Sequence, residues 1–184
     1  MLNFLLLGAE FFYKIAINSK NFLYETGFLK ETKVKANVIC IGNLTTGGVG
    51  KTPIVETLSK ILSKEKKVAI LCSDEAYQLA KKTPDNVAVI ICKDRLKAAN
   101  YAIYKYNSEV IILDDGFSNR KIKKDKTFIV IDSKMRLGSN RLLPLGPLRE
   151  PVCEIKRADE IIIVNKIIFL YYLVKKEGVF YGRQ

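Results

Sequence analysis

Residues 38–57 read V-I-C-I-G-N-L-T-T-G-G-V-G-K-T-P-I-V-E-T, a β-branched run entering a glycine-rich turn that closes on Gly-Lys-Thr. That order of residue types is suited to holding phosphate. Glycines let backbone N–H groups approach phosphate oxygens, the Lys51 ammonium neutralises the outer phosphates, and the Thr52 hydroxyl is placed to ligand Mg²⁺. A helix starting here points its positive end at the anion. The strict phosphate-loop pattern would put its first glycine at Thr45; Gly47, Gly48 and Gly50 restore most of the backbone freedom.

Carboxylates supply the other half of such chemistry. Asp114 and Asp115 end an apolar run at 110–115, where a parallel strand would deliver them to the sheet edge on which the phosphate loop opens. They are placed there to hold Mg²⁺ directly or through water, or to begin the turn at Gly116. Asp74 and Glu75 follow a second run at 67–72. They either cap the helix that follows by accepting from its free N–H groups, or Asp74 serves as the base that takes a hydroxyl proton in phosphoryl transfer. The 184-residue chain contains no histidine, so any proton acceptor is a carboxylate.

The elements that must position these groups are legible in the hydrophobic pattern. Runs at 38–42, 67–72, 87–92, 110–115, 128–132 and 160–165 are continuously apolar, as expected of strands covered by helices on both faces. Helical patterns fall between them at 54–64, 74–82 and 94–106. This alternation predicts an α/β fold with a mostly parallel sheet, P-loop NTPase-like, preceded by an N-terminal amphipathic helix. The length fits one compact lobe.

Composition narrows the partners. A net charge of +12 and pI near 9.5 suit a polyanionic partner, whether nucleotide, anionic lipid, membrane surface or nucleic acid. Four cysteines without a C-x-x-C pair read as buried thiols in a reducing compartment. The first thirteen residues lack the basic leader and cleavage site of a secretory signal and are too short an apolar stretch to span a bilayer. Leu2, Leu5, Leu6, Ala9 and Tyr13 repeat at helical spacing ahead of Lys14 and Lys20. Such a helix either lies in a headgroup region or packs on the protein's own core. The apolar block 167–174 reads as a last strand or helix or a truncated end.

The run G-N-L-T-T-G-G-V-G-K-T-P, the later D-D-G-F and the segment R-L-L-P-L-G-P-L-R-E-P at 141–151 together resemble the tetraacyldisaccharide 4′-kinase (lipid A 4′-kinase) family. The resemblance runs from the leading helix through the strand at 160–165. It implies transfer of the ATP γ-phosphate to the 4′-hydroxyl of an acylated glucosamine disaccharide 1-phosphate at the cytoplasmic face of the bacterial inner membrane. It further implies ATP binding by Thr45, Thr46, Gly47, Gly48, Val49, Gly50, Lys51 and Thr52. Lys51 and Asp74 would be catalytic, Asp74 as base, and Thr52, Asp114 and Asp115 would serve Mg²⁺. Asn43 and Arg120 also fall at family positions.

The chain departs from the family pattern in several places. Cys72 leads almost directly to Asp74, where relatives carry a loop of some twenty residues or more. Ser118-Asn119-Arg120 replaces Gln-His-Arg, and Gly138-Ser139-Asn140-Arg141 replaces Gly-Asn-Gly-Arg. In the family, the second lobe, with the histidine that pairs with the catalytic aspartate, follows the point where this sequence ends. The expected organisation is a membrane-facing segment at 1–36, a P-loop kinase lobe at 37–166 and an atypical tail at 167–184. The alternative from another class is a nucleotide-binding remnant or regulatory module without kinase activity. A third, a basic nucleic-acid ATPase, has only the charge and Tyr101, Tyr104, Lys105 and Tyr106 behind it, and no nucleic-acid partner is expected.

Overall fold

A computed structural model of the chain describes residues 2–72, 76–133, 141–165, 170–175 and 178–182. Among these, helix α1 (Leu2–Glu25) leads into strand β1 (Asn37–Gly42), followed by α2 (Lys51–Leu62), β2 (Val68–Cys72), α3 (Ala76–Lys82) and β3 (Ala88–Ile91). Then come α4 (Arg95–Tyr106), β4 (Val110–Asp114), β5 (Lys126–Asp132), a 3₁₀ turn (Val152–Arg157), β6 (Glu160–Asn165), β7 (Leu170–Lys175) and β8 (Gly178–Gly182).

The strands form one sheet in the order β3-β2-β4-β1-β5-β6-β7-β8. Pairings from β3 through β6 are parallel, whereas β7 and β8 are added antiparallel. The part of the apolar block 167–174 that lies among the described residues is therefore strand, in β7. The chain leaves β1 for β2, on the far side of β4, and later returns to β5 on the other side of β1. The order of strand addition thus switches sides at β1 while the strands stay parallel, and it is at the C-terminal end of such a switch point that ligands bind in open α/β sheets.

Apolar runs form strands here because both faces are covered. On one face Val38, Cys40, Leu71, Ile111, Leu113 and Ile129 pack beneath Ala98 and Ala99 of α4 and Tyr13 and Ile17 of α1. On the other, Ile41, Ile70, Ile112, Val130 and Val164 lie under Val55 and Leu58 of α2 and Leu79 of α3. Each fully buried aliphatic side chain contributes on the order of 1.5–3 kcal/mol relative to exposure. Helix α4 starts at the expected place because Asp94 is its cap, its carboxylate accepting from the N–H groups of Leu96 at 3.1 Å and Lys97 at 3.2 Å.

Helix α1 packs on the protein's own core, but through a different line from the one the periodicity marked: Leu6 and Tyr13 of that set face inward, whereas Leu5 and Ala9 are exposed. An inward line of Leu6, Glu10, Tyr13, Ile17, Asn21 and Tyr24 is buried or half-buried, while Phe4, Phe11, Phe12, Ile15 and Phe22 stand exposed on the opposite side. It ends at Glu25 and does not continue to Phe28, because Gly27 turns the chain with φ +78° and donates its N–H to the Tyr24 carbonyl. No helix among the described residues is long and apolar enough to cross a membrane.

Candidate active site

The loop after β1 is built from its two ends inward. Asn43 is buried at the strand exit, where its amide donates to the Thr45 carbonyl at 2.8 Å. Its side-chain oxygen accepts from Lys51 Nζ at 3.0 Å, so one residue fixes both ends of the loop. Val49 is buried in the α2-side core and anchors the middle, leaving Gly47 and Gly48 exposed at the crest. Gly47 (φ +111°) and Gly50 (φ +85°) adopt the left-handed region that L side chains avoid.

Gly50 caps α2 without any side-chain hydrogen bond to the helix. The first-turn N–H groups therefore lack a side-chain cap, an arrangement that leaves the positive helix end available to an anion. Pro53, which has no N–H, falls in that turn, where its missing donor costs least.

A wall runs along the loop. Thr45 bridges to Leu148, the Thr46 N–H donates to the Pro147 carbonyl at 2.7 Å, and the Arg149 N–H donates to the Leu44 carbonyl at 2.8 Å. This wall carries Arg149 into the site. Asp115, one residue past the end of β4, faces Lys51 Nζ through Oδ1 at 3.3 Å and Arg149 through Oδ2 at 2.7 Å. Asp114 sits at the strand end beside it, positioned by the buried Arg95, which donates to the Asp114 carbonyl at 3.1 Å and the Cys92 carbonyl at 2.8 Å.

The phosphate loop, Lys51, Thr52, Asp114 and Asp115 are thus gathered at the C-terminal edge of the central strands, as the pattern of runs requires. Asp74 and Glu75 lie outside the described residues. Arg149 escaped the sequence reading as a site residue, because nothing in the spacing of a cation so far down the chain points to Lys51. Its only signal was membership of the 141–151 segment.

Beneath the wall, Glu150 is fully buried and ties it to α1. It accepts from Asn21 Nδ2 at 3.0 Å and pairs with Lys20 at 3.4 Å, while the Tyr13 hydroxyl donates to the Arg149 carbonyl at 2.9 Å. Burial, with the Glu150 charge adding to it, raises the Tyr13 hydroxyl above its ordinary pKa. Arg157 meets Glu150 at 3.2 Å and Glu154 at 2.7 Å, charge against charge without hydrogen-bond alignment, and stacks 4.2 Å over the Phe117 ring.

The model of a family described as tetraacyldisaccharide-1-P 4′-kinase (LpxK) matches residues 2–73 and 69–169. The chain belongs to the tetraacyldisaccharide 4′-kinase family. Among relatives of that name, one from Aquifex aeolicus (strain VF5) is 38% identical over 189 residues, covering 89% of this chain and 59% of the relative. One from Halothermothrix orenii (strain H 168) is 35% identical over 188 residues, covering 87% of this chain and 49% of the relative. The crystal structure of an "apo" form of Aquifex aeolicus LpxK in complex with ATP superposes with a TM-score of 0.80. It covers 89% of this chain and 59% of that one at 38% identity. The chain spans about half the length of the curated tetraacyldisaccharide 4′-kinases it matches. The family model's match runs from the leading helix through β6.

Proposed function

We propose that this chain carries the nucleotide half of a lipid A 4′-kinase, transferring the γ-phosphate of ATP to the 4′-hydroxyl of a tetraacylated glucosamine disaccharide 1-phosphate. The observation that carries the reading is the convergence of Lys51, Asp115 and Arg149 at the mouth of a glycine-rich loop whose helix end has no side-chain cap. Family membership and the ATP-bound relative support it.

In this reading the loop from Thr45 to Thr52 encloses the triphosphate, with the Thr46 amide staying on the Pro147 carbonyl, and Lys51 exchanges Asp115 for phosphate oxygens when nucleotide arrives. The site's hard oxygen donors suit Mg²⁺, which takes one or two carboxylates and completes its shell with phosphates and water. Thr52, Asp114 and Asp115 would hold the ion, which when bound neutralises charge on the β- and γ-phosphates. Asp74 is assigned as the base that receives the proton of the acceptor hydroxyl, on the strength of the family's G-D-E-A segment alone.

The organisation that goes with this function is a membrane-facing segment at 1–36, a kinase lobe at 37–166 and a tail at 167–184. Helix α1 would lie on the cytoplasmic face of the inner membrane with Phe4, Phe11, Phe12 and Ile15 turned into the lipid. The test is incubation of the folded chain with labelled ATP, Mg²⁺ and the disaccharide lipid. Label on the lipid at the 4′ position is expected from the wild type and not from Asp74→Asn, with ATP binding retained in both. A fully active Asp74→Asn chain would remove Asp74 from the mechanism.

A further inference from the structure

Beyond the exposed stripe of α1, a second surface feature begins where that helix ends. Residues 26–36 run beside residues 120–125, joined by a parallel bridge between Thr32 and Ile122 and by reciprocal bonds, Thr32 N–H to the Lys121 carbonyl at 2.8 Å and Lys123 N–H to the Thr32 carbonyl at 2.9 Å. Side chains alternate along both strands. Val34, Ala36 and Ile122 are buried, whereas Lys33, Lys35, Lys121 and Lys123 are exposed. Lys30 is exposed at the start of the same strap.

These five lysines form no ion pair among the described residues. The acids that flank them in sequence are already engaged: Glu31 pairs with Arg120, and the Asp125 carboxylate accepts from the Val38 N–H. The bridge between Thr32 and Ile122 sets Lys33 next to Lys123 on neighbouring strands, an arrangement of like charges that costs stability unless an anion offsets it. Phe28, two residues before Lys30, is 81% exposed, and Phe22 in the last turns of α1 is 62% exposed.

We infer that this lysine strap is an electrostatic docking surface for anionic phospholipid headgroups, resting on the proposed attachment of α1 to a membrane. Lipid is favoured over other polyanions because the apolar stripe of α1 runs from Phe4 to Phe22, about 27 Å at 1.5 Å per residue, along most of the helix. The strap follows α1 directly in the chain and opens with the exposed Phe28, so a helix held at an interface by its stripe keeps the strap lysines near headgroup phosphates. Apolar residues then enter the interface where the lysines meet phosphate, the pairing of forces that interfacial segments use.

The test is binding of the full chain to phosphatidylcholine vesicles with and without phosphatidylglycerol, at low and high salt, beside the variant K30Q/K33Q/K35Q/K121Q/K123Q. Wild type is expected to bind the anionic vesicles at least about tenfold more tightly, a gain that high salt removes. The glutamine variant should bind neutral vesicles as wild type does and lose the gain, while the matching five-fold Lys→Arg variant keeps it, which excludes a folding defect. Equal wild-type binding to both vesicles, or an undiminished gain in the glutamine variant, overturns the proposal and leaves α1 attachment standing. Binding to no vesicle overturns both readings. Lysine-dependent binding of a short oligonucleotide without any vesicle preference would assign the strap to nucleic acid instead.

Discussion

The Arg149 guanidinium lies 2.7 Å from one carboxylate oxygen of Asp115 while the Lys51 ammonium lies 3.3 Å from the other. Asp115 reaches this position with φ +57°, a conformation that costs a non-glycine residue energy, and it is held there by its N–H donating to the Ile41 carbonyl at 2.9 Å. The carboxylate keeps Lys51 neutralised at the loop mouth until a stronger anion competes. A triphosphate, with several charged oxygens and the helix end behind it, is such a competitor.

Replacing Lys51 by alanine should therefore reduce affinity for Mg·ATP by about 10- to 100-fold, the range for losing a hydrogen bond to a charged group. The fold should survive, because Lys51 is only half-buried and Asp115 retains Arg149. Calorimetric titration of wild type and Lys51→Ala measures the difference. Equal affinities would show that the loop does not bind the phosphates.

The sheet was readable from sequence because strands covered on both faces must be apolar throughout, and the observed boundaries of β1, β2, β3, β4 and β5 fall close to the runs that announced them. The start of α4 was readable for a local reason, the capping carboxylate of Asp94. Arg149 and Glu150 were not, since their roles arise only when the 141–151 segment folds back against the loop and α1. Periodicity also left α1 undecided between core and surface. Its inward line alternates apolar with polar residues, Glu10 and Asn21 among them, so no simple apolar face marked the side that packs.

Glu150 couples the helix to the site wall, and its removal should register in both places. Glu150→Gln keeps the shape but takes the charge from Lys20 and Arg157, of which Arg157 is substantially buried and has its pKa lowered chiefly by that desolvation. A buried cation losing its partner costs about 3–5 kcal/mol, and the lower end applies because Glu154 remains beside Arg157. Denaturant unfolding reads the stability, and amide exchange across α1 reads its attachment. Unchanged exchange in residues 10–24 would rule out Glu150 as the tie.

Gly42 stands at the exit of β1, where a Cβ would come within 2.5 Å of the Phe117 Cβ and 3.1 Å of its backbone nitrogen. Phe117 cannot give way, since it is 2% exposed and lies beneath Arg157. Gly42→Ala should thus cost at least about 1–3 kcal/mol through overpacking. Gly48→Ala, whose Cβ meets nothing within 4 Å, should leave stability nearly unchanged. Thermal melts of the two variants decide this, and equal melting temperatures would mean that the strand exit is not closely packed.

Cys40, also on β1, has no solvent exposure, and burial pushes its thiol from the ordinary 9.0 up to about 11, with the Lys124 charge opposing the shift. The folded state therefore holds the proton more tightly than the unfolded chain does. Below pH 9 both states are protonated and the contribution to stability is fully present. Between pH 9 and 11 the unfolded chain ionises first, so stability falls by up to about 3 kcal/mol as pH rises through the folded value. Denaturant unfolding of wild type and Cys40→Ala across that window isolates the effect, because the alanine variant is weakened by its cavity at every pH but lacks this slope. If both lose stability in parallel from pH 9 to 11, the Cys40 thiol ionises as readily folded as unfolded.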